Sequence, residues 1–149
     1  MFALPTSLLE AYRGTAFIAI VSGRELAAFL DQPCPELDRV LLEHHAKCGV
    51  FITAHNPKSE RQSDQKNQTA NLKLERVLRE RSLRFFAHVG RNGTWSEQGF
   101  FVLDLEPDAA VTLAETFGQF AVVTLELGQV PRLQLTVLAT KLATKLATD

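Results

Sequence analysis

No stretch of the 149-residue chain approaches the roughly 20 consecutive apolar residues that a membrane-spanning helix requires. The opening residues, MFALPTSLLEAYRG, lack the basic leader, long apolar segment and small-residue cleavage site of a secretory signal. The expected setting is therefore cytoplasmic. Cysteine is scarce: Cys34 and Cys48 can form one bridge at most, and free buried thiols are the expectation. Charge of either sign is not in surplus. A formal net charge of −1 argues against a protein that grips nucleic acid by global electrostatics, because that mode relies on many Lys and Arg contacts to phosphate. There is no Walker loop, no dinucleotide-binding glycine run and no zincin motif, so no cofactor is implied.

What is present describes one globular domain. The length suits a single core that buries roughly two thirds of the unfolded surface, and 46% hydrophobic with 22% charged residues is close to the globular average. Charge is distributed unevenly along the chain. Lys58 to Arg84 carries eight basic and four acidic residues, whereas Asn92 to Pro131 carries six acidic and no basic ones. A solvated helix face accounts for the basic run most simply; a local anion-binding face is the alternative.

The spacing of Ser7 and Glu10 suggests a capping box, predicting a short helix over Ser7–Tyr12 that Gly14 ends. Thr15–Val21 reads as a strand. Arg24–Phe29 fits either a hairpin return or a helix, and the Ser22-Gly23 turn favours the strand. After Pro33 and Pro35, residues Leu37, Val40, Leu41 and His44 recur at helical spacing, with Gly49 as the expected stop. A strand over Val50–Ala54 follows. Proline then keeps Asn56 out of the helical region, and Ser63 or Asp64 starts a helix whose inner stripe is Asn67, Ala70, Asn71, Leu74, Val77 and Leu78. Leu83–Val89 and Gly99–Leu105 are predicted strands, with Asn92-Gly93, Trp95 and Glu97 in their connection. A helix from Pro107 to Gly118 and strands over Phe120–Leu127 and Arg132–Leu138 complete the domain. From Val50 the order is strand, helix, strand, strand, helix, strand. It predicts an α+β two-layer sandwich with a ferredoxin-like, split β-α-β arrangement and a mostly antiparallel sheet over residues 1–138. Residues 139–149, with a KLAT repeat, read as a fraying tail, the alternative being a helix that docks a partner.

The polar run after Val50, Phe51 and Ile52 holds the candidate site. Thr53, Asn56, Ser59, Asn67 and Asn71 offer donors and acceptors suited to a base edge, a ribose or an amide; the amides can equally satisfy loop backbone groups. Trp95 is placed to cover an apolar ligand face. His55 is the candidate general acid/base, with Glu97 as its partner if the hairpin folds over the loop. His44, His45, Cys48 and His55 are zinc-ligand types, but their spacing fits no standard pattern, so no metal site is expected. His88, in an apolar strand, reads as a packed and hydrogen-bonded core residue.

Ala11-Tyr12 with Thr15, Phe51-Ile52-Thr53-Ala54-x-Asn56-Pro57-x-Ser59, Ser63-x-x-x-Asn67, Trp95-x-Glu97 and Phe117-Gly118-Gln119-x-Ala121 together resemble the bacterial domain of unknown function 3293 family, up to about Leu138. The resemblance implies a compact, soluble bacterial protein and adds Gln119 to the site alongside Thr53, Asn56, Ser59, Asn67 and Glu97. At His55 the family pattern has an aromatic such as tryptophan. Three function classes follow: a binding or regulatory module for a small polar, anionic or nucleotide-like ligand; a small hydrolase or transferase using Glu97 and His55; or a protein-interaction subunit.

Overall fold

The computed structural model describes residues 5–148. Its helices are α1 (Thr6–Arg13), α2 (Pro35–Glu43), α3 (Asp64–Glu80), α4 (Pro107–Thr116) and α5 (Val137–Thr148). Its strands are β1 (Ala16–Val21), β2 (Arg24–Ala28), β3 (Cys48–Thr53), β4 (Phe85–Asn92), β5 (Trp95–Leu103), β6 (Ala121–Glu126) and β7 (Arg132–Leu135). All seven strands join one sheet in the order β2-β1-β4-β5-β3-β6-β7, and every pairing is antiparallel. The α+β class and the antiparallel sheet are as the sequence pattern predicts.

The layering differs from the expected two-layer sandwich, because the central strands are apolar on both faces. In β3, Phe51 points to one side while Val50 and Ile52 point to the other, as strand alternation requires. Phe51, Phe101 and Val123 pack with Phe17 and with Leu37, Val40 and Leu41 of α2. Val50, Ile52, Phe100 and Val102 pack with Leu74 and Leu78 of α3 and with Ala110, Leu113 and Ala114 of α4. A strand buried on both faces needs cover on both, and α2 supplies the second.

The sheet curls towards α2. Asp31, just after edge strand β2, donates its amide to the Pro131 carbonyl beside the opposite edge strand β7 (3.0 Å). The Asp38 carboxylate of α2 accepts from the Gly128 amide in the β6–β7 turn (3.0 Å). Both edges are thereby drawn together over α2, which fills one end of the hollow. The other end lies beneath α1.

Several boundaries move for local reasons. Helix α1 starts behind Pro5 with no side-chain cap, so the Ser7–Glu10 pair is not a capping box. Helix α2 ends at Glu43 because His45 turns into the left-handed region (φ 53°), and Gly49 lies inside β3. A side chain at Gly49 would run into the Phe101 ring packed over it. Ser63 caps α3, its hydroxyl accepting from the Lys66 amide. Trp95 and Glu97 belong to β5, because the hairpin turns tightly through Gly93 (φ 62°) and Thr94 and pairs Asn92 with Trp95. Residues expected to fray form α5: Leu138, Ala139 and Leu142 find an apolar surface made by Phe120, Leu133, Leu135, Leu8 and Tyr12. Tertiary packing of that stripe outweighs the poor helix propensity of Thr.

Gly49→Ala is expected to lower stability by about 1–3 kcal/mol through overpacking, a fall of roughly 2–4 °C in the unfolding midpoint per kcal/mol. A midpoint equal to wild type would mean that Phe101 does not pack across β3 as described.

Candidate functional site

A cavity of about 740 Å³ occupies the hollow between α1, the ends of β3 and β4, the start of β5 and the loop joining β3 to α3. Strand register explains the opening. Gly90 of β4 lies opposite Phe17 on one side and Glu97 on the other, so the middle of that row has no side chain. His88, two residues earlier, shares the face of Gly90 and lies opposite Ala19 and Gly99. The floor is thus made of small residues, bounded by Phe17, Phe51, His88 and Glu97.

The wall formed by the β3–α3 loop is strained and firmly tied. Asn56 (φ 45°), Lys58 (φ 58°) and Ser59 (φ 58°) all adopt left-handed backbone. Such residues cost of order 1–3 kcal/mol each and persist only where their surroundings over-determine them. Asn56 precedes Pro57 and is kept out of the right-handed helical region as expected, but into the left-handed rather than the extended one. The ties are specific. The Asn56 amide donates to Asn67 Oδ1 (2.8 Å), and Asn67 Nδ2 donates back to Asn56 Oδ1 (3.0 Å). Gln62 closes the set, donating its side-chain amide to Asn67 Oδ1 (2.7 Å) and its backbone amide to Asn56 Oδ1 (3.0 Å). Gln119 Nε2 donates to the His55 carbonyl (2.9 Å), and the Lys58 amide to the Gly118 carbonyl (2.6 Å). Thr53 Oγ1 donates to the Gln98 carbonyl (2.6 Å) and accepts from the His55 amide (3.0 Å).

Burial dominates the electrostatics. Desolvation pushes the Glu97 carboxyl up to about 7, opposed by a hydrogen bond from the Asn56 side chain. Desolvation, and then the charge of Glu97, raise the Tyr12 phenol well above its ordinary range. His55 is lowered by burial, against a raising effect of Asp64. Its Nδ1 accepts from the Gln98 amide (3.3 Å). Burial, with a smaller contribution from His55, takes His88 down to about 3. The deep end of the cavity therefore holds a neutral imidazole, a neutral phenol and a carboxyl that titrates near neutrality.

Of the nine site residues read from the sequence, eight line this cavity: Glu97, His55, Thr53, Asn56, Ser59, Asn67, Trp95 and Gln119. Asn71 does not. It lies one turn further along α3, where its Oδ1 is buried without a partner among the described residues. The eight divide by what their polar atoms already do. Those of Thr53, Asn67 and Gln119 are engaged in holding the loop, as are Asn56 Oδ1 and His55 Nδ1, so these residues position the site. Glu97, Ser59 and the half-exposed Trp95 face the cavity. The four residues weighed as zinc ligands lie apart: His44 packs on the Phe86 ring (5.2 Å between centroids), Cys48 Sγ contacts the Leu105 carbonyl, and only His55 reaches the cavity. Cys34 and Cys48 are free and buried.

Among the lining residues not read as site residues, two bear titratable groups at the deep end, Tyr12 and His88. His88 is 4% exposed and packs between Phe17 and Phe51, 6.1 and 4.9 Å between ring centroids. It is packed as expected but not hydrogen-bonded: neither ring nitrogen has a partner among the described residues. Setting the hairpin register from a Gly93-Thr94 turn would have placed His88 and Glu97 on one face. Tyr12 is the chain's one tyrosine and lies on the inner side of α1.

Residues 52–122 match a family model described as a protein of unknown function, DUF3293. The chain resembles this family over that stretch. The DUF3293 match takes in the loop, the Ser63–Asn67 helix start, Trp95, Glu97 and Gln119, and stops short of Ala11, Tyr12 and Thr15 on the opposite wall. No curated protein and no solved structure matches the chain. Among the described residues no helix is long and apolar enough to cross a membrane.

Glu97 makes stability depend on pH. Its folded-state value of about 7 lies above the ordinary 4.5, so the folded chain holds that proton more tightly than the unfolded one. The contribution is full below 4.5 and is lost as pH rises through 7. Glu97→Gln keeps a neutral group at every pH. It is expected to match wild type at about pH 4, below the unfolded value, and to exceed it at pH 8, by about 1.4 kcal/mol per pKa unit of the shift. Urea unfolding of both proteins at the two pH values checks this, and equal stabilities at pH 8 would contradict a desolvated Glu97. His88, shifted the opposite way, contributes equally to both proteins and cancels.

Proposed function

We propose that the chain is a small-ligand binding or regulatory module and that its cavity takes a polar, nucleoside-sized molecule. The observation that carries this reading is the pairing of one desolvated carboxyl, Glu97, with aromatic walls in a cavity of about 740 Å³. Few polar groups set among apolar walls, in a volume of roughly 300–1,000 Å³, is the ordinary form of a small-molecule site. The strained, multiply tied loop supports it, because backbone strain held in place by its surroundings clusters at ligand sites. The basic outer face of α3 adds less than the sequence suggested: Arg61, from the loop, is the one Lys or Arg that lines the cavity among the described residues. On this reading the β3–β6 segment acts as a ferredoxin-like unit whose strand order, β4-β5-β3-β6, brings the loop after β3 beside the start of β5.

Trp95 is the chain's one tryptophan, lies 45% exposed and lines the cavity, so its fluorescence reports on occupancy. Titration with nucleosides and nucleotides is expected to give a saturable change with at least one of them. The same compound should raise the unfolding midpoint; at 100 times Kd the gain is about 2.7 kcal/mol. If none of these compounds changes either signal, the binding reading fails.

One observation favours a hydrolase or transferase as a second reading. A carboxyl titrating near 7 is suited to general acid/base work, and His55 lines the same cavity. Conversion of a bound compound at a rate that follows a single ionisation near 7, and is lost in Glu97→Gln, would establish it. Binding without turnover leaves the module reading in place.

A further inference from the structure

The most buried titratable group of the cavity is His88, and the cavity reading above does not use it. Its imidazole is 4% exposed, lines the cavity, and lacks a partner for either nitrogen among the described residues. Buried polar groups are almost always paired, and one left unpaired costs free energy that a bound group can recover. The ring edge has a definite outlook. A methyl group placed on Gly90 would stand 3.8 Å from both Nε2 and Cε1 of His88 and 3.6 Å from the Thr15 methyl. The Nε2 edge therefore faces the gap over Gly90, between Phe17 on β1 and Glu97 on β5, with the nitrogen itself closed to solvent.

We propose that His88 reads the ligand: a small turn of its ring presents Nε2 to the space over Gly90, which seats a flat, uncharged nitrogen heterocycle hydrogen-bonded to His88 Nε2 and to the Glu97 carboxyl. This rests on the cavity being a ligand site and names the chemistry of its deep end. A neutral imidazole offers one N–H and one lone pair, and a carboxyl offers both donor and acceptor when protonated, so the pair matches a ring that carries adjacent donor and acceptor atoms. Phe17 and Phe51 flank the imidazole and supply aromatic surface for a flat partner. A charged group fits poorly. Arg91, the cation on floor strand β4, pairs with Glu25 and does not line the cavity, so an anion at the floor would lose hydration without gaining a counter-charge. Any phosphate or sugar on the ligand would instead lie towards the loop, where Ser59 and Arg61 line the cavity.

The test uses the full chain with 15N-labelled histidine, and adenine, cytosine and uracil as probes, with inorganic phosphate as the control. Saturable movement of the His88 ring-nitrogen signals by at least one base, and none by phosphate, is the expected result. His88→Phe, which fills an aromatic pocket, and Gly90→Ala, whose new methyl makes only ordinary contacts, should keep the unfolding midpoint. Both should weaken binding about tenfold or more. If His88→Phe does not fold, Gly90→Ala carries the comparison alone. If Trp95 responds to a base while the His88 signals stay still, or binding survives both substitutions, the cavity reading stands and the assignment of His88 fails. If no base binds, this assignment is overturned whether or not larger nucleotides bind.

Discussion

The reciprocal amide pair between Asn56 and Asn67 is the interaction on which the candidate site depends. Each side-chain oxygen of the pair accepts from the other residue, and each also accepts from Gln62. The arrangement ties a loop of left-handed residues to the first turn of α3, itself capped by Ser63. Without it, three non-glycine residues at positive φ would be free to relax and the wall over Glu97 would open. The same Asn56 side chain that is fixed by Asn67 reaches the Glu97 carboxyl. One cluster therefore fixes the local backbone geometry and, through Asn56, tempers the rise that burial imposes on Glu97.

The second requirement is a sheet that is closed by α2 at one end and open at the other. Both faces of β3, β5 and β6 are buried, so the curl of the sheet is decided by what fills the hollow. Large side chains of α2 and β3 fill the end near Leu37 and Leu41. Ala19 and Gly90 leave the other end unfilled, and α1 roofs the gap without plugging it. Burial without filling is what raises Glu97 and lowers His88: both groups lose water and gain no compensating charge.

Much of this was legible in the sequence because it is local. Element order, the Ser63 cap, the Pro107 helix start and the antiparallel class all follow from short-range patterns. The cavity-lining set around Thr53–Ser59 was legible because small polar residues break an apolar run abruptly there. What was hidden depends on long-range register. A hairpin turn shifted to Gly93-Thr94 carries Trp95 and Glu97 into β5 and aligns Glu97 with Gly90, and nothing in either segment alone specifies that. Asn71 continues the inner stripe of α3 beyond the loop, which periodicity cannot reveal. His88 looked like a satisfied core residue since its neighbours are apolar; its missing partners are visible only once the strands are assembled. The C-terminal repeat reads as a poor helix until the surface under Leu138 and Leu142 is known.

Electrostatics gives the most direct access to the central claim, that the open end of the sheet is a cavity that buries the Glu97 carboxyl. The side-chain carboxyl 13C signal of Glu97, followed from pH 4 to 9 in protein labelled at glutamate, reads its ionisation without perturbing the fold. A midpoint near 7 is expected. A midpoint at the ordinary carboxylate value of 4.5 would place Glu97 in water, and its burial in the cavity would have to be abandoned.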